Sequence, residues 1–367
     1  MPRNPTRREF LATAAGAAVI VVAPSFGHRA TASTLPFLHG VASGDPLSDR
    51  VVIWTRLTPT ADAVPGSGRG APVTVTWQVA RDEAFTDVIA HGTTVADARS
   101  DHTVQVDVTG LDADAYHWYR FTALGATSPV GRTRTTAAPT TTLDSLRLGI
   151  VTCAEFEFGR FGVYRLLAER DDIDAVIHLG DYVYEFGRSY GPLSSPGERL
   201  GRRHEPPHEC LTLSDYRMRY GQHRRDSELQ AMHAAHPVIA MYDDHEVAND
   251  TWREGAENHS AEEGSFANRA RAGHQAWREW LPLRLPDPAA PEKVERTFQF
   301  GNLAQLWMLD ERRYRDEPPA SAVVGYGSVD PAIDDPSRTM LGAPQREWLT
   351  NGLRTSAATW KVLGNPV

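Results

Sequence analysis

Four short apolar runs in the second part of the chain each end abruptly in polar side chains. The runs read IVTC, VIHLGD, VIAMYDDHE and LWMLDERR, and stretches with the apolar spacing of helices separate them. Alternating strands and helices predict an α/β architecture, in which ligands bind where loops leave the carboxyl ends of the strands. The pattern therefore predicts the fold class of residues 146–367 and the sheet edge at which a binding site would lie.

The polar side chains at these strand ends are candidates for binding a cation. A single aspartate after a strand is often only a turn former or a helix cap. The DDHE segment at residues 243–246 is harder to explain in that way, because three acidic groups around one histidine repel one another unless a cation or a proton neutralises them. A hard or borderline metal ion would explain such a cluster. The candidates at the strand ends are Cys153, Asp181, Tyr184, Asp243, Asp244, His245, Glu246, Asp310 and Arg312.

Residues 37–136 show a different pattern, which predicts an all-β domain. The segments VTVTWQVA and HTVQVDV alternate apolar and polar residues with the period of half-buried strands. Tyr116, which enters the segment YHWYRF after a turn, resembles the tyrosine corner of immunoglobulin-like and fibronectin type III sandwiches. Residues 133–145 are rich in Thr, Ala and Pro, which predicts a linker between this domain and the next.

Length and charge exclude some classes of protein. The chain has 367 residues, which is enough for two domains, and a formal net charge of −9. That charge argues against a nucleic-acid-binding protein that works through bulk charge. Only Lys293 and Lys361 are lysines, and every other basic residue is arginine. We attribute this bias to coding composition, so the abundance of arginine does not by itself predict phosphate binding.

The first 32 residues predict an export signal. Arg7 and Arg8 precede an apolar run from Phe10 to Pro24, and a small-x-small cleavage site ends at Ala32. The run is shorter than the ~20 residues of a membrane-spanning helix, so a membrane anchor is the weaker interpretation. We therefore predict export by the twin-arginine (Tat) machinery, cleavage after Ala32, a secreted location and no membrane span after cleavage.

The two cysteines leave two alternatives open. In an exported protein, Cys153 and Cys210 are expected to form a disulfide unless one of them binds a metal as a thiolate. The segment RRHEPPHEC also spaces His204, His208 and Cys210 as zinc ligands can be spaced, although it reads as an irregular loop. A zinc hydrolase built on that loop is therefore an alternative to a site at the strand ends.

Six blocks of sequence, in order along the chain, resemble the PhoD-type alkaline phosphatases and phosphodiesterases, which are related to the metallophosphatases. The blocks are GVASGDPLSDRVVIWTRL, VTCAEFEFGRFGVYRLLAER, AVIHLGDYVYEF, MYDDHEVAND, LWMLDERRYRD and LGAPQREWLTNGLRTSAATWKVLGN. The resemblance implies a secreted phosphoric ester hydrolase with an N-terminal β-sandwich and a metallophosphatase-like α/β sandwich. It also implies Fe(3+) and Ca(2+) as cofactors and a phosphate ester as substrate.

The resemblance also implies roles for individual residues. Cys153, Asp181 and Tyr184 match the iron ligands of the family, which favours the thiolate over the disulfide. Asp244 matches a ligand of the second metal, and His245 matches the histidine that contacts the phosphoryl oxygen or the leaving group. Arg312 is a candidate to bind the phosphate, and a structural arginine is the equal alternative.

The sequence departs from the family pattern after its last block. A later GD-x-H block with further metal ligands does not follow residue 245, so we expect the catalytic domain, residues 146–367, to be incomplete. Two alternatives to a phosphatase follow. One is a phospholipase D-like phosphodiesterase, and the other is a non-catalytic remnant that binds the cell wall or another surface.

Overall fold

The computed structural model describes residues 35–188, 195–319 and 331–367. The predicted export signal lies outside these residues. In the described part of the chain, no helix combines the length and the apolar character that crossing a membrane would require.

The first part of the chain forms strands, as its alternating pattern predicts. Val75 and Val79 are buried, while Thr74 and Thr76 on either side of Val75 are exposed, because successive side chains of a strand point to opposite faces. The strands before the predicted linker are β1 (Val41–Gly44), β2 (Arg50–Arg56), β3 (Val73–Ala80), β4 (Val88–Ala96), β5 (Thr103–Thr109), β6 (Tyr116–Ala123), β7 (Ala126–Thr127) and β8 (Gly131–Arg134).

The second part alternates strands and helices, also as predicted. Its strands are β9 (Leu148–Val151), β10 (Ala175–Leu179), β11 (Pro237–Met241), β12 (Thr251–Trp252), β13 (Gly255–Ala256), β14 (Arg296–Phe300), β15 (Ala304–Met308) and β16 (Trp360–Gly364). Its α-helices are α1 (Gly162–Ala168), α2 (Ser195–Leu200), α3 (Leu213–Arg224), α4 (Ser227–Ala235), α5 (Phe266–Trp280) and α6 (Gly342–Thr355).

Two sheets pack face to face in the N-terminal part. β3, β4, β6 and β7 form one sheet, with β8 paired to β6, while β1, β2 and β5 belong to another. Side chains from both sheets, among them Ile53, Val104, Val79 and Phe121, form a single buried apolar cluster. Burying this cluster is the main stabilising contribution to the sandwich.

One sheet crosses the predicted boundary between the two domains. Its strand order is β5-β2-β1-β11-β10-β9, so β1 of the first part pairs with β11 of the second. The pairing is parallel, with Ser43 opposite Pro237 and Gly44 opposite Val238. The hydrogen-bonded sheet therefore contains strands from both sides of the boundary predicted between residues 136 and 146.

Two local expectations from the sequence are wrong. The hydroxyl of Tyr116 donates to the carbonyl of Asp171, 3.2 Å away in the second part of the chain, whereas a tyrosine corner bonds a backbone group a few residues upstream. The guanidinium groups of Arg132 and Arg134 also lie 5.0 Å from its ring centroid. Tyr116 therefore connects the two parts of the chain. The predicted linker also begins too early, because β8 extends to Arg134.

Candidate metal centre

Parallel pairing of β9, β10 and β11 brings three loops to one edge of the sheet. His178 lies opposite Val151 and Leu179 lies opposite Met241, so the three strands end nearly level. Cys153, Asp181 and Asp243 each follow the last residue of their strand by two positions. The strand-end pattern of the sequence therefore corresponds to a cluster of side chains in space.

The backbone at two of these positions is unusual. Cys153 has a φ of 59° and Asp181 a φ of 54°, a left-handed conformation that residues other than glycine seldom adopt. Hydrogen bonds hold the two loops together, from Cys153 N to Gly180 O at 3.3 Å and from Ala154 N to Asp181 O at 2.7 Å. Such conformations persist where the surrounding structure enforces them, and they concentrate at functional sites.

Asp181, Asp244 and His245 form a group that can hold a metal ion. Each offers one ligand atom, and these atoms all lie within 4.8 Å of one another. The three residues are only 7%, 6% and 8% exposed, and Oδ1 of Asp181 is buried without a hydrogen-bond partner. Burial raises the pKa of Asp181, and the charge of Asp244 adds to the increase. A cation would satisfy the unpaired oxygen and offset the repulsion, so the donor set fits a metal.

Cys153 and Tyr184 converge on the same carboxylate oxygen. The Cys153 Sγ donates to Asp181 Oδ2 at 3.4 Å, and the Tyr184 hydroxyl donates to the same atom at 3.0 Å. Burial raises the pKa of both the thiol and the phenol, so both hold their protons when no cation is present. Metal ions displace protons from such groups. The thiol, the carboxylate and the phenol therefore lie together beside the group of Asp181, Asp244 and His245.

His245 is oriented by a carboxylate behind it. Its Nδ1 lies 2.7 Å from Oε2 of Glu185, which is fully buried, so Nε2 is left for the metal group or a substrate. Burial lowers the pKa of His245, but the hydrogen bond and charge of Glu185 and the charges of Asp244 and Asp181 outweigh it and raise the pKa to about 9. With no cation bound, the ring therefore carries a proton at neutral pH.

Glu246 holds the two neighbouring loops in place. Its Oε1 accepts from Tyr182 N at 2.7 Å, and its Oε2 accepts from Asp181 N at 3.1 Å and from Asp243 N at 2.8 Å. The side chain is fully buried, so no water can replace these bonds. Glu246 thus fixes the backbone that presents Asp181 without itself facing the ligand group.

Replacing Glu246 by Ala is expected to lower the free energy of unfolding by about 2–4 kcal/mol, because three buried N–H groups lose their acceptor. Urea denaturation of the metal-free protein would measure the loss. The control is Glu262→Ala, at an exposed position in a short 3₁₀ helix, where we expect a change within about 0.5 kcal/mol. Equal stability of the two variants would show that Glu246 does not anchor the loops.

Arg312 lies among carboxylates in this structure. Its Nε is 2.5 Å from Asp243 Oδ1 and its Nη2 is 3.4 Å from Asp244 Oδ1, while Nη1 is 3.7 Å from Asp250 Oδ1. Burial raises the pKa of Asp243 to about 7, with Arg312 acting in the opposite direction. The positive charge of the guanidinium therefore offsets the negative charges of Asp243, Asp244 and Asp250. Nη1 is buried without a hydrogen-bond partner, so one donor remains for a further acceptor.

The structure contradicts both alternatives built on the loop before α3. Both cysteines are free, so the disulfide does not form. Nε2 of His204 lies 2.7 Å from Glu155 Oε1, and His208 lies 3.2 Å from Asp215 and is largely exposed. Within residues 35–188, 195–319 and 331–367, the group of Asp181, Asp244 and His245 is the one His, Cys, Asp or Glu cluster with suitable spacing. The loop therefore provides no zinc site.

Sequence reasoning missed Glu185 as part of this site. Besides orienting His245, its Oε1 accepts from Asn249 N at 2.7 Å and from Asn258 Nδ2 at 3.0 Å. The one signal was an acidic residue next to Tyr184 in the segment DYVYEF. Its partner is 60 residues away along the chain, so only the fold reveals the pair.

Two family models match the chain. The model described as PhoD-like phosphatase matches residues 148–367, and the model of the N-terminal domain of that family matches residues 22–137. Alkaline phosphatase D of Bacillus subtilis (strain 168) is 38% identical over 364 residues, which cover 97% of this chain and 59% of the relative. The chain thus spans less than two thirds of the length of that relative.

Two solved structures also align with most of this chain. A structure of PhoD aligns with a TM-score of 0.81 and 39% identity, covering 90% of this chain and 62% of that one. The purple acid phosphatase PPD1 of yellow lupin aligns with a TM-score of 0.52 over 89% of this chain and 51% of its own. At an identity of 11%, this alignment shows a shared fold alone.

Proposed function

The chain belongs to the PhoD-like phosphatase family, and we propose that it is a secreted, metal-dependent phosphoric ester hydrolase. The observation that carries the proposal is the buried group of Asp181, Asp244 and His245, whose ligand atoms lie within 4.8 Å of one another. Bound cations would supply Lewis-acid chemistry there, which acidifies water and neutralises charge on phosphoryl oxygens. The side chains described above hold the ions and position the ester.

We assign Fe(3+) to Cys153, Asp181 and Tyr184, and Ca(2+) to Asp244. Support comes from the two contacts that join the thiol and the phenol to one oxygen of Asp181. Soft and phenolate ligands suit iron, whereas carboxylate oxygens suit calcium. In this assignment Asp181 would help to hold both ions, because it contacts Cys153 and Tyr184 and also belongs to the group with Asp244.

His245 is assigned to the phosphoryl oxygen or the leaving group. Its ring is held through Nδ1 by Glu185, whose charge favours the protonated form, so Nε2 can donate a hydrogen bond or a proton as charge develops on oxygen. The Tyr184 ring lies 4.1 Å from the His245 ring, centroid to centroid, and restricts its rotation. Arg312 is assigned to the substrate through Nη1, which has no hydrogen-bond partner, while its other nitrogens are held by Asp243 and Asp244.

The remaining assignments concern the chain outside the site. Residues 1–32 are proposed to direct export through the twin-arginine pathway, with cleavage after Ala32. Residues 37–136 are proposed to be an immunoglobulin- or fibronectin III-like sandwich, supported by two packed sheets with a common core. Residues 146–367 are proposed to be the catalytic domain, supported by the position of the ligand group in that range.

A panel of three substrates tests the proposed activity. The purified protein is incubated with a phosphomonoester, a phosphodiester and a phospholipid, each with added Fe(3+) and Ca(2+) and each with a chelator. We expect hydrolysis of the monoester or the diester that the chelator abolishes. Preference for the phospholipid would favour the phospholipase D-like alternative. Absence of hydrolysis from a protein that contains both metals would contradict the proposal and favour a non-catalytic binding protein.

A further inference from the structure

A pocket of about 580 Å³ lies beside helix α5, away from the metal centre described above. Arg271, His274 and Arg278 line it from one face of the helix, since they are three and four residues apart. Arg253, which follows β12, and Arg313, which follows β15, complete its basic lining. None of the six residues proposed for metal binding, catalysis or substrate binding lines this pocket.

Three of the four arginines lack an acidic partner. Arg253 pairs with Asp316 at 2.8 Å. In the described ranges, no carboxylate oxygen lies within 4.0 Å of the guanidinium nitrogens of Arg271, Arg278 or Arg313, although Glu292 also lines the pocket. The nearest acceptors are neutral: Asn268 Oδ1 for Arg271, at 2.8 Å, and the Glu292 carbonyl for Arg313. Arg278 and Arg313 repel each other, with Glu292 acting against that repulsion, and an anion in the pocket would reduce it further.

His274 lines the pocket but is almost entirely buried. The side chain is 8% exposed, and its Nε2 is buried without a hydrogen-bond partner. The ring is held by Tyr242, with centroids 4.5 Å apart. Burial, together with the charges of Arg313 and Arg278, lowers the pKa of His274. The neutral ring therefore lines the pocket beside the arginines without adding positive charge of its own.

We propose that this pocket binds a phosphate group as a site distinct from the metal centre. Guanidinium groups match phosphate oxygens in both charge and geometry, and several of them can bind one phosphate together. The group would be either free inorganic phosphate or a second phosphate on a substrate whose first phosphate is at the metal centre. Both sources present the same chemistry to Arg271, Arg278 and Arg313.

Calorimetric titration with inorganic phosphate tests the site directly. The titration uses the Asp181→Asn variant, so that binding at the pocket is measured apart from catalysis and does not depend on the proposed activity. Adding Arg278→Gln to that variant is expected to weaken phosphate binding by about tenfold or more, and Arg271→Gln should act in the same direction. Arg346→Gln is the matched control, because Arg346 is exposed on α6 and does not line the pocket.

A kinetic comparison distinguishes free inorganic phosphate from a second phosphate on the substrate. This comparison rests on the proposed function. The ratio of the KM of an ester with two phosphates to that of an ester with one should rise about tenfold in Arg278→Gln if the pocket holds part of the substrate. An unchanged ratio, with phosphate binding lost, indicates the free ion. Phosphate affinity that Arg278→Gln and Arg271→Gln leave unchanged, or that Arg346→Gln lowers equally, would overturn the proposal. Thermal unfolding of each variant confirms that it is folded.

Discussion

Replacing Asp181 by Asn is expected to reduce kcat/KM for phosphoric ester hydrolysis by about a thousandfold or more. The substitution keeps the shape of the side chain but removes the negative charge that, in our proposal, binds both metal ions. The same substitution should leave the fold intact, because burial already raises the pKa of Asp181 and therefore opposes its charged form in the metal-free protein. We expect an unfolding temperature of the metal-free variant that is equal to or above that of the unmodified protein.

The matched control for this variant is Asp172→Asn. Asp172 lies on the surface before β10 and pairs with Arg170 at 2.7 Å, so its loss should change neither activity nor stability by much. An Asp181→Asn variant that turns over substrate at the rate of the Asp172→Asn control would show that Asp181 does not hold the metals.

Replacing His245 by Ala is expected to reduce kcat by about 10²–10⁴-fold. In our proposal the ring donates from the protonated state that Glu185 favours, and alanine can neither donate a hydrogen bond nor pass a proton to the leaving oxygen. The reduction should be larger for esters with basic leaving groups, which need the proton most. A series of aryl phosphates with leaving groups of increasing pKa measures this dependence.

His208→Ala is the control for that series, because His208 is largely exposed and contacts Asp215 outside the metal group. We expect it to retain full activity against every ester. If His245→Ala lost activity equally for good and poor leaving groups, His245 would act only on binding or metal geometry and not on the leaving group.

The position of the site could be predicted from the sequence because strand ends are local features. Each of Cys153, Asp181 and Asp243 follows an apolar run, and parallel strands bring their carboxyl ends together whatever connects them. Asp244 and His245 extend the third strand-end segment by one and two residues. The family resemblance added the roles of these residues, which the spacing alone leaves open.

What escaped prediction depends on contacts between distant segments. The pairing of β1 with β11 joins residues almost 200 positions apart, so the sheet that crosses the predicted domain boundary has no signature in either segment. The hydrogen bond from Tyr116 to Asp171 and the pairing of Glu185 with His245 are of the same kind. The zinc interpretation of the His204 loop was wrong for the opposite reason, because close spacing along an irregular loop does not bring side chains together.

The metal content of the catalytically active protein tests the central claim most directly. Elemental analysis of the purified chain, measured beside its rate of ester hydrolysis, is predicted to find iron and calcium bound, and both the metals and the rate should fall together in the Asp181→Asn variant. A preparation that hydrolyses esters at full rate while containing neither iron nor calcium would contradict the account.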